Sequence, residues 1–118
     1  MASDRARSGF GRGALVLSVL AGVAALAGNA AADPAAGRQK AAMCQVCHGY
    51  DGIGTNPEVP NIGGESDIYL MRQLKAFRSG ERQHQQMSII ASGLSDDDIR
   101  NLADYYSSIE ITATVPNY

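Results

Sequence analysis

Tryptophan is missing from the 118 residues, and cysteine, histidine and phenylalanine each occur only twice. Two cysteines and two histidines supply little beyond one site, and a zinc centre needs about four ligands of its own. No strand pattern surrounds residues 36–60, which removes the βαβ setting of a thioredoxin-like Cys-x-x-Cys. Long apolar runs are scarce as well. Residues 14–28 form one, short for a membrane span, and no second follows. Beyond residue 32 lysine occurs only at Lys40 and Lys75, and acidic side chains outnumber basic ones. That balance excludes a nucleic-acid partner and denies the chain a broad lysine ring. No repeat or low-complexity tract is found there either.

What is present begins with a targeting pattern. Arg5, Arg7 and Arg12 precede the apolar run, and Ala30-Ala31-Ala32 offers a small-residue cleavage site. The expectation is a signal peptide over residues 1–32 and an exported domain over 33–118, with a retained anchor as the alternative. A domain of that size buries roughly 60–65% of the surface its unfolded chain exposes, so it needs a staple. With Phe77 its lone phenylalanine and no tryptophan, it lacks a large apolar body of its own.

Cys44-Gln45-Val46-Cys47-His48 answers that lack. Residues at i, i+3 and i+4 share one helical face, so two thiols and an imidazole can address one flat ligand. Cys-x-x-Cys-His is the attachment pattern of a c-type haem. The thiols would add to two porphyrin vinyl groups, and His48 would ligate the iron from the proximal side. A plain disulfide between Cys44 and Cys47 would leave the adjacent His48 without a role. One covalent haem therefore becomes the centre of the core.

The remaining chain is organised around this string. Asp33-Pro34 suits the start of a helix, expected to run from Ala35 to about Cys47. Gly37 and Ala41 form a small-residue face on it, to seat Leu102 and Tyr105 of a C-terminal helix. Residues 49–65 carry too many Gly and Pro for an element. Within them, the carbonyl of Pro60 is a candidate acceptor for the second ring N–H of an iron-bound His48. Residues 66–79 read as an amphipathic helix with Ser66 as N-cap and Gly80 just past its end. Leu70, Leu74 and Phe77 form its buried stripe, flanked by Ile68 and Met71. Arg72, Lys75, Arg78 and Arg82 fall on or near its wet side, either as a solvated face or as a docking patch.

A low-spin electron-transfer haem requires a sixth ligand. Met43 adjoins the first anchor and cannot reach the far face, and Met71 fits a core stripe. Met87, the apolar residue that closes the polar segment Arg82–Met87, is the favoured ligand, with His84 as the alternative. Residues 94–109 then form the best-signalled helix. Ser95 and Asp98 fit a capping box, and Leu94 and Ile99 a hydrophobic staple. Asp96, Asp97 and Asp98 match the positive end of its dipole. The tail 110–118 reads as extended.

These residues resemble the class I c-type cytochromes, above all short bacterial periplasmic members and the tandem two-haem ones. The resemblance rests on C-x-x-C-H at 44–48, P-N-I-x-G from Pro60, Y-L-x-x-Q-L-x-x-F-R-x-G-x-R at 69–82, and M-x-x-I-A-x-x-L-S-D-x-D-I-x-x-L-A-x-Y-Y at 87–106. It implies an all-α fold of three main helices plus short ones, the terminal helices crossing, around one haem c. It also implies thioether anchors at Cys44 and Cys47, axial ligands His48 and Met87, the Pro60 acceptor, and pocket walls from Ile62, Leu70 and Leu74. His84-Gln85-Gln86 departs from the proline and second methionine that such relatives often carry. The implied function is a monohaem periplasmic electron carrier, not an enzyme, working between a dehydrogenase and an oxidase or reductase. Its contacts would be transient, and the mature protein would be a monomer without a membrane span. Two rival readings are an obligate cytochrome subunit of a dehydrogenase complex, and a haem sensor or peroxidase whose sixth ligand leaves.

Overall fold

The computed structural model describes residues 31–118, and the expected targeting segment lies almost wholly outside them. Five α-helices and one 3₁₀ turn make up the described chain, in the order α1 (Pro34–Lys40), a 3₁₀ turn (Ala41–Met43), α2 (Gln45–His48), α3 (Asp67–Ser79), α4 (Gln85–Ser92) and α5 (Asp96–Ser107). There is no strand among the described residues, so the all-α expectation is met. No helix among them is long and apolar enough to cross a membrane.

Asp33 opens α1 by accepting the N–H groups of Ala35 at 2.9 Å and Ala36 at 3.3 Å. The expected continuous helix from Ala35 to Cys47 is interrupted. Three residues at the tighter 3₁₀ winding rotate the helix face by about 60° relative to α-helical continuation. Ala-rich sequence is equally at ease in either winding, so propensity alone gives no warning. The interruption separates two duties. Gly37 and Ala41 are buried, Gly37 against α5, whereas Cys44, Cys47 and His48 line a cleft.

At Gly37 a Cβ would collide with the Asn101 carbonyl and lie 2.8 Å from Tyr105 Cβ. The Gly37 part of the seat is therefore made for Asn101 and Tyr105, while Leu102 shares the buried core with Ala41. Asn101 Oδ1 also accepts the Asp33 N–H at 2.9 Å, and Lys40 pairs with Asp98 at 3.0 Å. Together these contacts hold α1 against α5.

α3 follows expectation: Ser66 Oγ accepts the Tyr69 N–H at 3.2 Å, and Gly80 takes the left-handed conformation at φ 81°. Leu70 and Phe77 are buried, Leu74 and Met71 pack against the core, but Ile68 is exposed. α5 carries the full capping box, with Ser95 Oγ and the Asp98 carboxylate each accepting the other's backbone N–H at 3.0 Å. Its inner face, Ile99, Leu102, Ala103 and Tyr106, joins Ala41, Leu70 and Leu94 in the core.

α4 starts within the polar run that precedes Met87 and extends beyond it. His84 is its N-cap, and the side chains of Met87, Ile90 and Ala91 follow at helical spacing. Arg78 departs from the solvated or docking role. Its guanidinium donates to Leu94 O at 3.0 Å and pairs with Asp96, tying α3 to the start of α5.

Candidate functional site

The cleft between these elements has a volume of about 570 Å³. α2 contributes Cys47 and His48, with Cys44 immediately before it; the loop contributes Pro60 and Ile62; α3 contributes Leu70 and Leu74; α4 contributes Met87. All eight residues singled out from the sequence thus share one cleft. His84 lines it too, along with Met43, Phe77, Arg82, Leu102 and Tyr106.

His48 is buried, and its Nδ1–H donates to the Pro60 carbonyl at 2.9 Å. With Nδ1 committed, Nε2 is the ring nitrogen that keeps a lone pair. The acceptor is itself held by the loop. Gly52 O receives the N–H of Ile62 at 2.7 Å and of Gly63 at 3.1 Å, while Asn61 Oδ1 receives the Gly54 N–H at 2.8 Å. Gly52 sits at φ 74°, and a Cβ there would strike the Gly63 backbone, so this closure requires glycine.

Two further contacts reach the same segment from α5. Tyr106 Oη donates to Gly49 O at 3.1 Å, and Tyr105 Oη donates to Tyr50 O at 2.7 Å. Burial pushes the Tyr106 hydroxyl well above its ordinary value, so it stays protonated and able to donate. The expected packing of Tyr105 against α1 gives no hint of these hydroxyl roles for the two tyrosines. Their adjacency to each other was the available signal, since neighbouring positions on a helix cannot both face one core centre.

Cys44 and Cys47 are free thiols. Burial raises the Cys44 pKa to about 11, with a smaller opposing effect from Lys40. Arg82 lies over the Phe77 ring at 4.6 Å and donates to Gln73 Oε1 at 2.6 Å, covering the cleft margin between α3 and α4.

The donor set has a definite chemistry. Two thiols three residues apart, a buried imidazole with one nitrogen occupied, and a thioether line a largely apolar cleft. That set suits a flat, covalently held iron porphyrin. A family model described as Cytochrome c matches residues 34–110. The chain belongs to the cytochrome c family. Its relatives are bacterial class I c-type cytochromes. Cytochrome c-554(548) of Halomonas halodenitrificans is 47% identical over 83 residues, spanning 68% of this chain and 100% of that protein. Cytochrome c4 of Pseudomonas aeruginosa is 39% identical over 80 residues, spanning 68% of this chain and 40% of that one. The solved structure of reduced recombinant cytochrome c4 from Pseudomonas stutzeri matches with a TM-score of 0.57 at 29% identity, over 68% of this chain and 51% of that one. The chain therefore spans the whole of one relative and about half of the c4 cytochromes. The class I cytochrome c fold, and electron carriage by a c-type cytochrome, follow from this membership.

Proposed function

We propose that this cytochrome is a periplasmic, monohaem one-electron carrier with thioether anchors at Cys44 and Cys47 and axial ligands His48 and Met87. The observation that carries the reading is the 2.9 Å bond from His48 Nδ1 to Pro60 O. It fixes the tautomer, leaves Nε2 for a metal, and makes the imidazole a stronger base. Haem c, when bound here, supplies a one-electron iron couple.

The protein's own groups do the rest. Pro60 and the loop beneath it hold the His48 ring. The side chains of Ile62, Leu70 and Leu74 exclude water from the ring face. A Met87 thioether on the iron would raise the reduction potential relative to a second nitrogen ligand. With His48 and Met87 both holding the group, no ligand position would stay open for a substrate, which favours a carrier over a sensor or peroxidase.

Two relatives are named thiosulfate dehydrogenase electron acceptor; that of Stutzerimonas stutzeri is 36% identical over 69 residues, spanning 56% of this chain and 32% of that protein. Such names support a dehydrogenase as donor; the proposal adds an oxidase or reductase as acceptor, met through small transient contacts. Visible spectra of the purified protein, oxidised and reduced, with and without carbon monoxide, test the proposal. Expected are a low-spin spectrum, a thioether-to-ferric-iron charge-transfer band, and no carbon monoxide binding. Rapid carbon monoxide binding would instead favour the sensor or peroxidase.

A further inference from the structure

We propose that His84 is a positioning residue that holds Met87 on station by capping α4; this rests on the reading of Met87 as the thioether ligand. His84 has the extended backbone of an N-cap, φ −157° and ψ 137°, and its Nδ1 accepts the Met87 N–H at 3.3 Å. Its own N–H donates to Ser88 Oγ at 3.1 Å, and its carbonyl accepts the Ser88 N–H at 2.9 Å. Three bonds thus join His84 to Met87 and the residue after it.

The need for them lies in the helix. α4 has eight residues, too few to persist without support. Its second turn is anchored by Ala91, which is fully buried. Its first turn begins with the exposed Gln85 and Gln86, neither of which belongs to the buried core, although Gln86 borders the cleft. Met87 is the third helical residue, at the junction between the anchored and the unanchored turn. The orientation of its thioether therefore depends on the cap. A histidine is an uncommon cap, and asparagine is among the best, which provides a discriminating substitution.

The test titrates ferric holoprotein with imidazole and follows the charge-transfer band, because imidazole competes with the sulfur for iron. Losing the cap in His84→Ala should tighten apparent imidazole binding by about two- to thirtyfold. His84→Asn should restore the native titration. Ser66→Ala removes the comparable cap of α3 and should leave the titration unchanged. An unchanged His84→Ala titration, failure of His84→Asn to restore it, or an equal shift in Ser66→Ala overturns the proposal. Should His84→Ala fail to mature, amide exchange in the native holoprotein decides: Met87 should exchange more slowly than Gln86, and equal rates overturn the proposal. Met87→Ala separates the two readings. If it keeps the band, the ligand assignment and this inference fall together. If it loses the band while His84→Ala behaves as native, only the role of His84 falls.

Discussion

At the residue scale, the site depends on which of two histidines and two methionines in one cleft would hold the iron. His48 was legible because its position beside Cys47 has one economical explanation. The Pro60 acceptor was legible as a possibility, and the structure supplies the hydrogen bond itself. Met87 shares the cleft with His48, and its replacement gives the sharpest expectation. Met87→Ala should abolish the sulfur-to-ferric-iron band, admit carbon monoxide to the reduced protein, and lower the potential by an appreciable part of the ~0.8 V that axial ligation spans. Redox titration monitored by absorbance measures the band and the potential, and carbon monoxide added to the reduced protein measures the third effect. An unaltered spectrum would mean that another side chain ligates the iron.

At the element scale, the strongly capped helices could be read from sequence and the weakly capped one could not. Ser66 and Ser95 announce α3 and α5 because serine at an N-cap followed by a periodic apolar pattern has few other readings. α4 was obscured by the polar run before Met87 and by a histidine in the capping position. Met87, Ile90 and Ala91, at i, i+3 and i+4, were the available signal. The break at Ala41–Met43 left no trace at all, since alanine accepts both windings.

The α1–α5 contact yields two expectations at this scale. Gly37→Ala gains about 1 kcal/mol in helix propensity, yet its Cβ has no room beside Asn101 and Tyr105. Overpacking should win, giving a net loss of up to about 2 kcal/mol in chemical denaturation of the holoprotein. Asp98 is held below its ordinary value of 3.8 chiefly by the Ser95 backbone N–H, with Lys40 assisting. A lowered folded pKa stabilises the fold above the unfolded value and ceases to do so as pH falls through the folded one. Asp98→Asn should therefore flatten the loss of stability below about pH 4, measured as denaturation midpoint against pH. A slope identical to that of the native protein would show that Asp98 does not contribute.

At the scale of the whole molecule, the scarcity of aromatic bulk and the cleft are the same fact seen twice. Sequence composition pointed to a core short of apolar mass, and the fold leaves a cleft of about 570 Å³ among the helices. Were that volume an empty cavity, at ~24 cal/mol per Å³ it would cost on the order of 14 kcal/mol. Its opening to solvent makes this an upper bound, but the figure matches the entire stability of an ordinary domain. The doubly substituted Cys44→Ala, Cys47→Ala chain, recovered without haem, should show weak near-ultraviolet dichroism and no cooperative thermal transition. A sharp transition would mean that the polypeptide closes its own core.

The hydroxyls of Tyr105 and Tyr106 reach back to the backbone of residues that were made more than fifty positions earlier. The stretch that follows the anchoring cysteines is therefore tied down in part by a helix far along the chain, so the local order of that loop and the docking of α5 rise and fall together.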